Sequence, residues 1–240
     1  MIHDFQESLR KSQNPAYEQF WQECYRNEFG ELLVGAFYTG DAQSHWQKTG
    51  VDRIVLLKNG AYFFVDEKCR ECDYGDILLE FASVAYRSGN GWRVDKPGWS
   101  IDPTKTCDFV IYGIPTSGKY WFMPYHSLRT TVGANLADWQ ARYRVIEAEN
   151  RGYVSLSVAV PWDVLAQAMV GTIKRELKIT KLPPIKKLLK TPSKGLSPPS
   201  LYLCDSQKKC PTAPSPGGKV QKNQSTLEVT YNDYSTKRNV

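Results

Sequence analysis

The sequence predicts a mixed α/β (α+β) domain in which helices flank a central mixed sheet. Aromatic residues recur at helical spacing near the N-terminus, an Asn-Gly turn separates two apolar runs, and further strand-like and helix-like segments follow. Hydrophobic residues make up 41% of the 240 residues and aromatic residues 12%. This content is sufficient to bury a core and excludes a wholly disordered chain.

The first elements are a helix and a strand hairpin. Apolar and aromatic side chains repeat every three or four positions over residues 15–29, and an Asn-Pro pair at the start is typical of a helix N-terminus. Residues 52–57 and 61–68 are apolar runs on either side of Asn59-Gly60. An Asn-Gly pair in this context is the strongest short-range signal for a hairpin.

The later elements are two helices and three strands. Residues 74–87 carry apolar side chains at helical spacing, so the pattern predicts a second helix there. Residues 107–114, 119–123 and 152–160 are short apolar runs that predict strands. A proline then opens a final predicted helix over residues 161–177.

The C-terminal part of the chain differs in composition from the rest. Eight of the fourteen prolines lie within residues 183–216, and residues 171–240 hold fourteen Lys and Arg against four Asp and Glu. We therefore expect residues 1–181 to form the folded domain and residues 182–240 to be a basic, proline-rich, disordered tail. A basic segment of this kind is typical of contact with a polyanion.

Several common functional classes leave no motif in this sequence. There is no Gly-rich dinucleotide or P-loop signature, no H-E-x-x-H and no G-x-S-x-G. No apolar run approaches the ~18–20 residues of a membrane-spanning helix, and the N-terminal segment has no apolar stretch of the secretory type. We expect a cytoplasmic protein without membrane contact.

The predicted hairpin carries an unusual set of charges. Asp52 opens its first strand, and Asp66-Glu67-Lys68 closes its second. Because side chains alternate along a strand, Asp66 and Lys68 should lie on one face and Glu67 on the other. Charges at the end of an apolar strand need partners, and a metal ion with an anionic substrate would supply them. An ordinary ion pair at a strand edge is the alternative interpretation.

These residues resemble the PD-(D/E)XK nuclease superfamily, which has the restriction-endonuclease-like fold with an αβββαβ core. The likeness is closer still to uncharacterised phage- or prophage-associated proteins of that fold. This sequence departs from the family pattern at two positions. Val51 stands where the family has the proline of its name, and the triplet begins with Asp rather than Glu. The segments that carry the resemblance are residues 50–55, 65–68, 76–80, 91–92 and 107–112.

The resemblance implies a metal-dependent endonuclease that hydrolyses DNA phosphodiester bonds. On the family pattern Asp52 and Asp66 would be ligands of Mg²⁺, with Mn²⁺ as a second possibility, and Lys68 would be the catalytic lysine. DNA is the implied partner, and a homodimer is left open. The family's additional acid on the first helix is left open among Glu18, Glu23 and Glu28.

Two polar residues are candidates for supporting roles in the site. Glu80, on the predicted helix 74–87, would support the lysine or bind DNA indirectly, and Gln47 would present an amide to the site. A surface acid and a polar residue at a helix end are the ordinary interpretations of the same two positions.

Four other residues are candidates for contact with DNA. Arg70 and Arg87 would bind the phosphate backbone, while Trp92 and Trp99 would stack on bases. Solvated charges and core aromatics are the corresponding alternatives. Two other functions also remain open, namely an inactive nuclease-fold DNA-binding or accessory protein, and an adaptor with a basic proline-rich tail.

Overall fold

The computed structural model describes residues 15–40, 45–89, 91–178 and 229–231, and it confirms the mixed α+β class. The described helices are α1 (Pro15–Phe29), α2 (His45–Lys48), α3 (Tyr125–Arg142) and α4 (Trp162–Glu176). The described strands are β1 (Leu33–Tyr38), β2 (Arg53–Leu57), β3 (Tyr62–Cys69), β4 (Asp76–Ser88), β5 (Gly91–Pro97), β6 (Phe109–Ile114), β7 (Lys119–Pro124), β8 (Val145–Glu149), β9 (Val154–Pro161) and β10 (Val229–Tyr231).

The strands form two five-stranded sheets. The first sheet has the order β1-β2-β3-β6-β7 and is mixed, because β3 and β6 run parallel while the other neighbours are antiparallel. The second sheet has the order β10-β5-β4-β9-β8, with β10 parallel to β5. The expected central mixed sheet is therefore the first sheet, and the second sheet was not predicted.

The predicted hairpin is confirmed and consists of β2 and β3. Gly60 adopts a φ of +82°, which its lack of a side chain permits, and its N–H donates to the Leu57 carbonyl at 2.9 Å. The Asn59 side chain accepts a hydrogen bond from the Ala61 N–H at 3.0 Å. This turn sets the register and so decides which side chains of β2 and β3 share a face.

The predicted helix over residues 74–87 is wrong, since β4 occupies this stretch and pairs with both β5 and β9. Ile77, Leu79 and Phe81 are buried with the period of two expected of a strand. Register shifts near Ala82 and Ala85 then displace the pattern, and both alanines are also buried. These irregularities create three- and four-residue spacings that imitate a helix.

The order of elements around β3 partly matches the expected αβββαβ core. The helix α1 and strands β1 to β3 precede the crossover, and β6 follows it parallel to β3. The crossover contains β4 and β5 where a helix was expected. The predictions for α1, β6, β7, β9 and α4 are confirmed, whereas β1, β5, β8, β10, α2 and α3 were not predicted.

Two hydrophobic clusters pack against opposite sides of the first sheet. The helix face of this sheet, defined here as the side covered by α1, packs Trp21 and Tyr25 against Val65 and Ile111. Gly113 in β6 makes this close approach possible, since a Cβ atom there would lie 2.6 Å from the Phe20 and Trp21 rings. On the opposite side, strands β6 and β7 pack against the second sheet, α3 and α4.

The proposed tail is described only at β10. Its strand Val229–Tyr231 pairs in parallel with Trp92 to Val94 of β5. The expected boundary near Lys181 and the rest of residues 182–240 lie outside the described residues. None of the helices in the described ranges is both long and apolar enough to cross a membrane.

Candidate active site

The two acids singled out in the sequence meet beside strand β3. Asp52 directly precedes β2, and its backbone N–H donates to the Val65 carbonyl at 2.9 Å. Its carboxylate oxygen Oδ2 accepts a hydrogen bond from the Glu67 N–H at 2.7 Å. The carboxyl groups of Asp52 and Asp66 lie close enough for each to shift the pKa of the other. The hairpin register thus brings the two acids together.

Two lysine side chains contact the carboxylate of Asp66. Asp66 is 1% exposed, and its Oδ1 accepts a hydrogen bond from Lys68 Nζ. Its Oδ2 accepts a second one at 3.2 Å from Lys105, which precedes β6. The structure therefore confirms that Asp66 and Lys68 share a face, which we call the site face, and adds a second lysine to it.

Glu67 lies on the helix face, as strand alternation predicted. Its Oε1 accepts hydrogen bonds from Tyr25 at 2.9 Å and from Arg53 Nε at 3.0 Å. Arg53 is itself 4% exposed and also pairs with Glu18 of α1. This network ties α1, β2 and β3 together directly beneath the two aspartates.

The two aspartates have opposite pKa shifts. Burial, reinforced by the negative charge of Asp66, raises the pKa of Asp52 to about 7. Burial also acts to raise the pKa of Asp66, but the charges of Lys68 and Lys105 outweigh it and hold that pKa below its usual range. Asp52 is therefore the member of the pair that carries the shared proton, and Asp66 is the anion.

Lys68 stays positively charged in this environment. Burial acts to lower its pKa, yet the neighbouring charges of Asp66 and Asp52 prevail and raise it above the ordinary value. Its Nζ also lies 5.8 Å from the centroid of the Trp99 ring. A permanently charged ammonium group at the site can stabilise an anion.

Lys105 was missed in the sequence, where it stands alone in a loop without a motif. A Cβ atom at Gly50 would lie 2.4 Å from the Lys105 Nζ, so this lysine crosses directly over the glycine. The Thr106 N–H donates to the Thr49 carbonyl at 3.0 Å and fastens the two loops together. Only the tertiary fold brings this loop to Asp66.

The three acids of the first helix have different partners in the structure. Glu18 is the one of the three that reaches the hairpin, through its ion pair with Arg53. Glu23 instead accepts a hydrogen bond from Gln19 on the same helix, and Glu28 accepts one from Tyr120 at 3.4 Å. In the described contacts, Glu18 is linked to the site through Arg53 and Glu67 rather than directly.

The two supporting candidates are not joined to the site by described contacts. Glu80 lies on a strand rather than on the expected helix, and it accepts hydrogen bonds from Ser83 Oγ at 2.5 Å and the Trp99 N–H at 3.4 Å. Gln47 belongs to α2, but its side chain lies outside the described residues.

The proposed DNA-binding arginines each have an acidic partner within the protein. Arg70 pairs with Asp76 at 2.5 Å and is 13% exposed, whereas Arg87 pairs with Glu147 at 2.6 Å and is 71% exposed. Trp92, proposed for base stacking, is buried in the core. Contact of these residues with DNA stays a prediction.

The site face continues past the charged residues as an exposed aromatic surface. Tyr62 and Phe64 alternate with the helix-face residues of β3 and so share the side of Asp66. The Trp46 and Phe64 ring centroids are 5.2 Å apart, and those of Tyr62 and Phe64 are 5.6 Å apart. Tyr62 is 59% exposed and Trp46 38% exposed. We call these three rings the aromatic shelf.

The carboxylate pair is chemically suited to a hard cation. Among the described residues, no group of three or more His, Cys, Asp or Glu side chains is arranged to hold a metal ion. Mg²⁺ is commonly held by one or two carboxylates, with water and substrate oxygens completing its shell. A buried and a partly buried carboxyl group, one of them with a raised pKa, fit this requirement, because a cation would replace the proton.

No protein-family model, no curated protein and no solved structure matches the chain.

Proposed function

We propose that this protein is a Mg²⁺-dependent nuclease that hydrolyses DNA phosphodiester bonds, with Mn²⁺ as an alternative metal. One observation carries the proposal. The carboxyl groups of Asp52 and Asp66 lie together with the charged Lys68 at a partly exposed site, formed by the residue before β2 and the end of β3. Phosphodiester hydrolysis needs an activated water molecule and positive charge around the phosphate, and this set can supply both.

Each residue has a distinct task in this proposal. Asp52 and Asp66 would hold the metal, which when bound supplies an activated water molecule and charge for the phosphate. Asp52 must first release the proton that it shares with Asp66, and its pKa of about 7 makes this loss easy near neutral pH. Lys68 has ammonium hydrogens beyond the one given to Asp66, and these can bind a phosphate oxygen or orient water.

The surroundings of the site favour a nucleic acid with accessible bases. The aromatic shelf lies on the same side of β3 as Asp66 and leads directly to it. Exposed rings stack on unpaired bases without regard to sequence. A single-stranded or locally unpaired strand can therefore lie across the shelf with its backbone at Lys68, while a continuous duplex keeps its bases away from these rings.

A nuclease-fold protein that binds without cleaving is the second candidate. It is favoured by the internal neutralisation of the site, since Asp66 accepts hydrogen bonds from two lysines and Asp52 retains a proton. An adaptor function based on the proline-rich segment concerns residues outside those described. Cytoplasmic location, phage-related origin and dimerisation stay predictions from the sequence.

Cleavage of end-labelled single-stranded and duplex DNA, with Mg²⁺, with Mn²⁺ and with EDTA, tests the proposal. Wild-type protein should cleave only with a divalent metal, and Asp66→Asn and Lys68→Met should each lose activity by at least a hundredfold. Asp73→Asn is the matched control. It removes the ion pair between Asp73 and Lys119, and this variant should remain active. Cleavage in EDTA or by Asp66→Asn would exclude the proposed mechanism. Metal-independent binding without cleavage would support the accessory protein.

A further inference from the structure

Lys105 contacts the carboxylate to which the proposed function assigns the metal ion. Lys68 occupies Oδ1 of Asp66, and Lys105 Nζ lies 3.2 Å from Oδ2. Both carboxylate oxygens are thus engaged by positive charge. A cation held by Oδ2 of Asp66 would lie against the Lys105 ammonium group.

The position of Lys105 is built into the fold. Its side chain is 16% exposed and passes over Gly50, which has a φ of +75° and no side chain to obstruct it. The backbone hydrogen bond from Thr106 to Thr49 holds its loop against the segment that leads into Asp52. The lysine therefore reaches the carboxylate pair from the loop side, while Lys68 is fixed by β3.

We propose that Lys105 is an internal counter-ion that occupies the cation position at Asp66, so that a divalent metal binds only by displacing its ammonium group. The inference rests on the proposed function for the identity of that cation. Two charges of the same sign repel strongly at a few ångströms in a partly buried site. Lys105 yields rather than Lys68, because its contact with Asp66 is the longer of the two and Lys68 is fixed on the same strand as Asp66.

Removal of the positive charge of Lys105 should therefore strengthen metal binding. Isothermal titration of Mn²⁺ into the full chain, without DNA, compares wild type with Lys105→Met, Lys105→Arg and Lys119→Met. We expect Lys105→Met to bind Mn²⁺ at least fivefold more tightly. Lys105→Arg keeps the charge and should bind as wild type does, as should Lys119→Met, which removes a lysine paired with Asp73 outside the site. Lys105→Gln replaces Lys105→Met if the latter does not fold.

The possible outcomes separate this inference from the proposed function. If Lys105→Met binds Mn²⁺ and wild type does not, the counter-ion is supported while a metal-dependent wild-type activity is contradicted. Equal or weaker binding by Lys105→Met overturns the counter-ion and leaves the nuclease proposal standing. If neither protein binds Mn²⁺, the counter-ion is overturned, and the metal is removed from the proposed function as well.

Discussion

The carboxyl groups of Asp52 and Asp66 lie close enough to shift each other's pKa, although fourteen positions separate the two residues in the sequence. The hairpin of β2 and β3 brings them together, and the Glu67 N–H holds the outer carboxylate in place at 2.7 Å. Because burial and the charge of Asp66 oppose ionisation of Asp52, the response of the pair to acid and metal reports directly on the site.

Metal binding should stabilise the folded protein through this pair. A cation that binds the native state and not the unfolded one adds RT ln(1 + [L]/Kd), about 2.7 kcal/mol at a hundred times Kd. A Mg²⁺ titration followed by thermal unfolding should therefore raise the Tm of wild type. Asp52→Asn should weaken the rise, whereas the distant Asp73→Asn should preserve it. A wild-type Tm that is constant across Mg²⁺ and Mn²⁺ would contradict a metal site at these two residues.

The pH dependence of stability should show the proton on Asp52. Its pKa is about 7 in the folded protein against an ordinary value of 3.8, so the folded state binds the proton more tightly than the unfolded state. The resulting stability is fully present below about pH 4 and is lost as the pH rises through about 7. The loss has a slope of at most about 1.4 kcal/mol per pH unit.

Asp52→Asn mimics the protonated form and separates this effect from other titrations. Relative to wild type in EDTA, the variant should gain stability between pH 4 and 8, because its amide stays uncharged next to Asp66 at any pH. Urea unfolding at a series of pH values measures the difference. Parallel curves for the two proteins would show that Asp52 is ionised in the folded state.

The buried Arg53 should contribute strongly to stability. Arg53→Met would leave Glu67, whose side chain is 10% exposed, without its cation, while Glu18 is 48% exposed and can be rehydrated. Breaking such a buried pair costs about 3–5 kcal/mol. Arg87→Met, which removes an exposed ion pair, is the matched control and should cost less than about 1 kcal/mol.

Denaturant unfolding of both arginine variants provides the comparison. The double variant Arg53→Met/Glu67→Gln should recover part of the lost stability, since it removes the charge that was left unpaired. Equal costs for Arg53→Met and Arg87→Met would mean that the network beneath the aspartates is solvated and does not support them.

The aromatic shelf should bind single strands. Tyr62→Ala should weaken binding of a single-stranded oligonucleotide by about 1–3 kcal/mol, the contribution of one stacked base, and should change duplex binding less. Tyr86→Ala removes a 36% exposed aromatic side chain from β4, in the other sheet, and serves as the control. Fluorescence anisotropy in Ca²⁺ measures both. Equal effects of the two substitutions would exclude a specific role for the shelf.

Local signals in the sequence were sufficient for the hairpin and for the orientation of its charges. Asn59-Gly60 predicted the turn, and strand alternation placed Asp66 with Lys68 and Glu67 opposite, as the structure confirms. Both conclusions depend only on neighbours along the chain. The prediction of a helix over residues 74–87 was wrong because the conformation of β4 depends on distant parts of the chain. Its pairing with β5 and β9, and the register shifts in that pairing, decided that this stretch is a strand.

By itself, then, the sequence determined the mixed α+β class, the β2–β3 hairpin and the candidate pair of acids with Lys68. Only the tertiary structure decided that Lys105 reaches Asp66 and that Glu18 is linked to the site through Arg53. The contacts of Lys105 with Asp66 and of Arg53 with Glu18 join residues that are 39 and 35 positions apart. They depend on how loops and helices pack, and no periodicity along the chain predicts them. The pKa shifts follow from the same packing, since burial and the approach of distant charges produce them.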